Sequence, residues 1–302
     1  MATERELNRR IRSVRNISQV TNALAAVSAA KASKAQKRVE ATRDYAEKAY
    51  EILVNLASQP TIGDVAHPLL KPRDEIGHTM VIMISADRGL CGAYNTNIIS
   101  FTERFIRALP VPADVVAVGR KGRDLMVRHG FNVVAAFDEI PDETSLYDTT
   151  PIADVAIDDF LSGKADDVFI AYTDFINLVN REPTVKQLLP FRPLDLTDMA
   201  VSEYVEDVDV ALAAGRVYSY EPSAAQLLNE IVPRFTELQV YQAVLEAKAS
   251  EHSARMVAMN NATDNAAELI DYLILERNKA RQTSITNEIL DIVGGAEALR
   301  ER

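Results

Sequence analysis

The stretch RFTELQVYQAVLEAKASEHSARMVAMNNATDNAAELIDYLILERNKARQTSITNEILDIV, residues 234–293, runs for sixty residues without Pro or Gly. It is rich in Ala, Leu, Glu, Gln, Arg and Met, which lose little conformational freedom in a helix. A single helix over this stretch would be roughly 90 Å long at a rise of about 1.5 Å per residue. Because that is too long to lie on one compact domain, the sequence predicts a long helix that packs against a partner.

A heptad pattern predicts the face that meets this partner. Alternate steps of four and three, counted from Leu245, place Met256, Met259, Ile270 and Leu273 on one seam. Outside the segment 256–273 the seam holds small or polar side chains, whereas a stable two-stranded coiled coil carries Leu, Ile or Val at most such positions. We therefore expect a slender coiled coil with one partner helix and a polar outer surface.

The N-terminal region supplies the predicted partner. Residues 4–58 also lack Pro and Gly, and seven of the thirteen residues from Ala23 to Ala35 are Ala, which allows two helices to approach closely. Apolar residues recur there at the steps of three and four that mark one helical face. These are Leu7, Ile11, Val14, Ile17, Val20, Leu24 and Val27. We expect the two terminal helices to form an antiparallel pair, with the rest of the chain inserted between them.

The inserted region alternates predicted strands and helices. Strands are expected at 78–85, 113–118, 131–135 and 167–172, with a further strand in 175–189 interrupted at Pro183, and helices at 95–109, 120–129 and 151–161. Such alternation indicates an α/β domain with a largely parallel sheet. The predicted fold class is therefore mixed α+β or α/β, a long antiparallel coiled coil of the N- and C-terminal helices with an inserted small α/β (Rossmann-like) domain. The predicted divisions are 1–58 (first coiled-coil helix), 59–77 (connector), 78–193 (α/β domain), 194–221 (acidic loop or linker) and 222–302 (second coiled-coil helix).

Composition narrows the possible functions. The net charge is −11, yet residues 1–38 contain nine Lys and Arg against two Glu, so this arm carries +7 and the remainder −18. The arm has no aromatic residue before Tyr45 and no nucleic-acid recognition motif, which favours an acidic protein surface over nucleic acid. The longest apolar runs, such as residues 80–84, are far shorter than the roughly 18–20 residues of a membrane span. One Cys excludes a disulfide within the chain, and the four scattered His predict no metal site.

Two glycine-bearing loops are candidates for nucleotide binding. Residues 87–92 (DRGLCG) and 119–122 (GRKG) each follow a predicted strand, the setting in which phosphate-binding loops occur. Neither has the G-x-G-x-x-G spacing or the G-K-[ST] ending, and strand-to-helix turns commonly use Gly for backbone reasons. We therefore predict no nucleotide or other cofactor in this chain.

Catalytic candidates are similarly weak. Cys91 lies near a predicted helix start that would lower the pKa of a thiol, but no His is near it in sequence, and a small packed side chain is the simpler interpretation. Acidic residues cluster in the loop before the 151–161 helix and again in 194–214, and both groups are expected to be solvated. The first group comprises Asp138, Glu139, Asp142 and Glu143. The chain is predicted not to be an enzyme by itself.

Three motifs resemble the gamma subunit family of F-type ATP synthases. They are residues 11–23 (IRSVRNISQVTNA), 85–92 (SADRGLCG) and 278–296 (NKARQTSITNEILDIVGGA). The last is similar to the C-terminal signature of the family at every fixed position, and the resemblance spans nearly the whole chain. It implies a central rotor shaft whose coiled coil lies in the bore of a hexamer of alpha and beta subunits. The α/β domain would be a foot bound to the epsilon subunit and the membrane c-ring, at the cytoplasmic face of the bacterial plasma membrane.

The same resemblance implies which residues meet the stator. Arg281, Gln282, Thr286 and Glu288 correspond to contacts with the catch loop of beta. Cys91 lies where the foot of the family approaches an acidic segment of beta, and Leu24 occupies a contact position where the family usually has Met. Catalysis would take place on beta, and contact with the membrane would be indirect, through the c-ring.

Overall fold

A computed structural model describes residues 3–57, 67–191 and 223–300. Two long helices, α1 (Glu4–Ala57) and α5 (Ala224–Arg300), stand at the two ends of the chain. The elements between them are β1 (Thr79–Ile84), α2 (Tyr94–Ala108), β2 (Ala113–Val118), α3 (Arg120–Arg128), β3 (Asn132–Phe137), α4 (Leu146–Leu161), β4 (Asp167–Phe175) and β5 (Arg181–Leu189). The predicted acidic segment 194–214 and the first part of the predicted connector lie outside the described residues.

The five strands form one sheet in the order β3-β2-β1-β4-β5. The first four pair in parallel, and β5 pairs antiparallel to β4. Every residue of β1 is buried, as expected for a central strand covered on both faces. The predicted fold class, long terminal helices with an inserted α/β domain, is thus confirmed.

Two local predictions required correction, and both concern proline. Pro183 does not interrupt the last strand, because β5 is an edge strand and a missing N–H there costs no ladder hydrogen bond. Helix α4 does not begin at Pro151 but five residues earlier, after Ser145. The backbone N–H and the hydroxyl of Ser145 both donate to Asp148 Oδ2 at 2.7 Å, which fixes the start of the helix.

Apolar side chains cover both faces of the sheet. One face packs against α2 and α3 through residues such as Met83, Ile98 and Met126. The other packs against α4 and parts of the two long helices, where Tyr50 and Phe235 place their ring centroids 6.3 Å apart. This second cluster is the main core of the protein.

The chain divides into two compact units. The larger comprises Ser28–Arg255, and the smaller comprises the described residues of Met1–Val27 and Met256–Arg302. In the smaller unit, α1 and α5 run antiparallel, because Leu7 and Ile11 pack against Leu273 while the hydroxyls of Thr21 and Thr263 lie 2.7 Å apart. Val14, Ile270, Ile274 and Ala280 complete this narrow seam.

The buried face of α1 differs from the predicted one beyond Val14. Ile17, Val20 and Val27 are 52–58% exposed, whereas the less exposed positions are Ser18, Thr21, Ala25, Ser28, Ala32, Ala35 and Val39. The predicted apolar residues are spaced on average little more than three residues apart, so successive ones lie progressively further around the helix. The observed positions alternate strictly between three and four, which is the spacing that keeps one face toward a partner helix. Small residues occupy most of this face, and small side chains allow two helices to approach closely.

Candidate functional site

The loop after β1, residues 85–92, is a structural junction between three strands. The hydroxyl of Ser85 donates to the carbonyl of Val118 (3.1 Å) and accepts from the amide of Gly122 (2.9 Å). A Cβ at Gly122 would lie 2.5 Å from Ser85 Oγ, and one at Gly119 would lie 2.2 Å from the carbonyl oxygen of Ser85. Gly119 also has a φ of +94°, which favours glycine. These glycines are required by close packing within the protein.

A carboxylate of the chain occupies the N-terminus of α3. Asp87 accepts hydrogen bonds from the amide of Arg120 (3.0 Å) at that N-terminus and from the amide of Glu139 (3.1 Å) after β3. Unpaired N–H groups at a helix N-terminus are the usual site for a bound phosphate. Here the carboxylate of Asp87 occupies that position, and its two hydrogen bonds connect the loops that follow β1, β2 and β3.

Helix α5 covers the crevice where a doubly wound sheet ordinarily binds its ligand. That crevice lies at the carboxyl ends of β1 and β4, where the strand order reverses. The Tyr94 hydroxyl, at the start of α2, donates to the carbonyl of Ala247 on α5 (3.1 Å), and Ser250 Oγ donates to the carbonyl of Asp174 at the end of β4 (3.2 Å). Burial raises the pKa of Tyr94 well above its ordinary value, so the phenol stays neutral. The edge of the sheet where a ligand would ordinarily bind is therefore occupied by a helix of the same chain.

Cys91 is buried, with 2% of its surface exposed, against Ala86, Tyr94 and Ala254. Burial is the main cause that raises the pKa of the thiol, against the opposing charge of Arg255, so the uncharged form is favoured. The thiol is therefore neither an activated nucleophile nor a surface group. Arg88 and Leu90 are the exposed large side chains of this loop, and Leu90 is held at a φ of +64°.

The predicted seam residues lie in the smaller unit. Met259 and Leu273 are buried, while Met256 and Ile270 are half-buried. Leu24 on α1 is also half-buried. Leu24 is three residues from Thr21, whose hydroxyl contacts that of Thr263 on α5. Arg281 lies roughly 27 Å further along α5 than Thr263, at about 1.5 Å per residue. The structure therefore does not bring Leu24 together with the predicted C-terminal contact residues.

The predicted C-terminal contact residues lie together on a part of α5 that is exposed along its whole length. Arg281, Gln282, Thr286 and Glu288 are all exposed, and so is every other residue from 281 to 296. Among these four, Thr286 Oγ1 donates a hydrogen bond to the carbonyl of Gln282 (2.9 Å), within the helix. Large apolar residues beside them are 48–72% exposed, and sequence reasoning missed all of these except Ile285. They are Ile285, Ile289, Leu290, Ile292 and Val293.

The described ranges contain no grouping of His, Cys, Asp and Glu suited to a metal ion. Within the same ranges, no helix has the length and apolar character needed to cross a bilayer. The features that remain are the junction at residues 85–92 and the exposed end of α5. Of these, the exposed end of α5 is suited to contacts with other proteins, because several large apolar side chains are uncovered there.

Comparisons with known proteins agree with these features. A family model described as ATP synthase matches residues 3–299. A protein of Dehalococcoides mccartyi (strain CBDB1) named ATP synthase gamma chain is 47% identical over 299 residues, which covers 99% of this chain and 100% of the relative. The protein of the same name from Chloroflexus aurantiacus (strain ATCC 29366 / DSM 635 / J-10-fl) is 42% identical over 302 residues, with 99% of each chain covered.

Solved structures show the same fold at lower identity. A chain of the Euglena gracilis mitochondrial ATP synthase superposes with a TM-score of 0.67 at 17% identity, covering 98% of this chain and 94% of that one. A chain from the central stalk and c-ring of the Tetrahymena thermophila enzyme gives 0.60 at 22% identity, covering 80% and 99%. The fold is that of the central-stalk subunits of ATP synthases. The chain belongs to the ATP synthase gamma-chain family, as its three sequence motifs indicated.

Proposed function

We propose that this chain is the central rotor stalk of an F-type ATP synthase, coupling proton-driven rotation of a membrane ring to ATP synthesis or hydrolysis on beta subunits. The observation that carries this proposal is the exposed C-terminal segment of α5, residues 281–296, where polar and large apolar side chains lie side by side on the surface. Exposed apolar residues in such number mark a surface that a partner covers. The bore of an alpha–beta hexamer is the partner that family membership supports.

The chain itself is proposed to be non-catalytic. Its carboxylate Asp87 occupies the N-terminus of α3, next to the candidate loop 119–122, and α5 covers the crevice at the carboxyl ends of β1 and β4. The epsilon subunit and the c-ring are the proposed partners of the α/β domain, and nucleic acid is not among the partners. As part of the complex, the chain would lie peripherally at the cytoplasmic face of the bacterial plasma membrane.

Arg281 and Gln282 are proposed to make the directional contacts with beta. With Ile285 and Glu288 they recur at steps of three and four, so they share one flank of α5. Arg provides five donors in a rigid fork. Each hydrogen bond is worth about 0.5–1.5 kcal/mol, or more when one group is charged, which can hold a rotary position without locking it.

The test is the double change Arg281→Ala with Gln282→Ala in the assembled complex. We expect the complex to form, because both side chains are exposed in the isolated chain, and ATP turnover per complex to fall about tenfold. Asn260→Ala with Asn261→Ala, two exposed polar residues of the same helix, provides the matched control and should leave turnover unchanged. Normal turnover in the first variant would exclude these contacts from coupling, and loss of assembly, shown by a native gel, would make them structural.

A further inference from the structure

The loop between β3 and α4, residues 138–145, contacts both long helices within the larger unit. The carboxylate of Asp142 is its centre. Lys31 Nζ on α1 lies 2.7 Å from Asp142 Oδ2, while His252 Nε2 and Lys248 Nζ on α5 lie 3.2 Å and 3.9 Å from Oδ1. One side chain therefore bridges α1 and α5. The prediction that the acids of this loop are merely solvated is wrong for Asp142.

Further contacts of the same loop strengthen the bridge. On α1, Arg38 Nη1 donates to the carbonyl of Asp142 (3.2 Å), and Glu143 pairs with both Arg38 (3.5 Å) and Lys34 (3.7 Å). On α5, Lys248 Nζ donates to the carbonyl of Ile140 (2.6 Å). The loop thus holds each helix at more than one point, through backbone and side-chain groups together.

The partners of His252 define its hydrogen-bonding state. The ring is 4% exposed, and its Nδ1 faces the guanidinium of Arg255 at 3.4 Å. Because a guanidinium can only donate, Nδ1 must accept, and the proton of a neutral imidazole is then on Nε2, directed at Asp142. Burial lowers the pKa of His252, which agrees with this neutral form. For Asp142, burial alone would raise the pKa, but the hydrogen bond from Lys31 and the charges of Lys248 and Lys31 outweigh it, and the pKa is lowered.

The bridge contacts both long helices outside the stretches that they contribute to the main apolar cluster. On α1, the apolar cluster shared with the sheet begins at Ala46, so Lys31 lies roughly 22 Å further along the helix at about 1.5 Å per residue. On α5, the last member of that cluster is Ala247, and Lys248 and His252 follow it. Apolar contacts are non-directional, whereas hydrogen bonds between charged groups fix both distance and direction.

We propose that residues 138–145 form an ionic strap that braces α1 and α5 against the sheet domain, so that torque entering this domain reaches both helices together. Asp142 is the positioning residue at its centre. This inference rests on the proposed rotor function. It assigns to an acidic loop a role in energy coupling that differs from contact with a stator subunit. Each exposed ion pair contributes little by itself, so the strap depends on its several contacts acting as one network.

The experiment compares Asp142→Asn with Asp154→Asn in the complete complex reconstituted into lipid vesicles. Asp154 is exposed on α4, outside the strap, and its change is the matched control. Proton pumping is measured per ATP hydrolysed. We expect Asp142→Asn to keep ATP hydrolysis and to lower the pumping ratio about threefold, the effect of losing one charge-assisted contact. Asp154→Asn should pump like the parent, and Asp142→Glu, which keeps the charge, should recover most of the ratio.

An unchanged pumping ratio in Asp142→Asn would overturn the strap. If that variant does not assemble, Lys31→Gln decides the question, because its side chain is partly exposed and its loss leaves the other contacts in place. A lowered ratio in Lys31→Gln supports the strap, and a normal ratio contradicts it. The behaviour of the parent complex shows whether a failure concerns the strap or the proposed rotor function. A parent that hydrolyses ATP but does not pump contradicts the rotor function itself, whereas a pumping parent with a fully coupled Asp142→Asn contradicts the strap alone.

Discussion

The two compact units use the same pair of helices but are stabilised in different ways. In the smaller unit, three buried residues, Leu7, Ile11 and Leu273, form the centre of a narrow apolar seam. In the larger unit, α1 and α5 contribute residues such as Tyr50 and Phe235 to a broad core that includes one face of the sheet. A narrow seam gives a slender helix pair with most of its surface available to partners. A broad core gives an anchored domain, so the slender construction is confined to the smaller unit.

The largest expected effect is in the broad core. Phe160 on α4 is 2% exposed, packs in the main cluster and lies under the guanidinium of Arg73, 5.3 Å from the ring centroid. Phe160→Ala should lower the free energy of unfolding of the larger unit by about 3–5 kcal/mol, because it removes a large buried side chain and leaves a cavity. Hydrogen exchange of the β1 and β4 amides is the measurement. Exchange of those amides as slow as in the parent would show that Phe160 does not stabilise the larger unit.

A smaller effect is expected in the seam, where the chain offers a closely matched pair of positions. Leu273 is 7% exposed, and Leu275, two residues further along α5, is 68% exposed. Leu273→Asp should destabilise the helix pair by about 2–4 kcal/mol, because a carboxylate replaces a buried apolar contact. Leu275→Asp should have almost no effect.

The readout for this pair is hydrogen exchange in the first turns of α1, which are distant in sequence from both substitutions. Faster exchange there in Leu273→Asp alone would locate the seam as described. Equal behaviour of the two variants would show that Leu273 does not hold α1.

The smallest of the three effects is a pH dependence of the larger unit. Burial lowers the pKa of His252, Arg255 and Lys248 act in the same direction, and Glu251 and Asp142 oppose them. As the pH falls below about 6.5, the ordinary value for His, the unfolded chain therefore takes up this proton first, and stability declines. The lowered pKa of Asp142 keeps that carboxylate charged in the same range.

The corresponding measurement is the melting temperature between pH 7.5 and pH 5 for the parent and for His252→Gln. The parent should lose more stability toward acid than the variant. His67, whose pKa burial also lowers, is present in both proteins and cancels in the difference. Identical slopes would remove His252 as a source of acid sensitivity.

The fold could be predicted from the sequence where burial and helical spacing carry the information. β1 is apolar and fully buried, and the heptad count on α5 runs through Met259 and Leu273, both of which are buried. On α1 the same reasoning selected the largest apolar residues, but close packing of helices selects small ones such as Ala25 and Ser28. Hydrophobicity alone cannot reveal that choice, because Ala and Ser carry little apolar signal.

The candidate site was predictable to a lesser degree. Family resemblance indicated residues 281–288, and the structure places them on an exposed helix. Whether Arg281 and its neighbours contact beta stays a prediction. The burial of Cys91 agrees with its interpretation from the sequence as a small packed side chain, whereas the filling of the α3 N-terminus by Asp87 depends on loops that meet only after folding. The strap at Asp142 is of the same kind, since its partners are more than a hundred residues away in sequence.

The central claim, that this chain turns inside its partners, is tested most directly by observing a probe on the sheet domain. Tyr147 on α4 is 85% exposed and the single Cys is buried, so Tyr147→Cys provides one accessible thiol for a visible label. With the partner subunits immobilised and ATP supplied, we expect continuous rotation of the label in one direction, which stops when ATP is removed. A complex that hydrolyses ATP at its normal rate while the label stays fixed would contradict it.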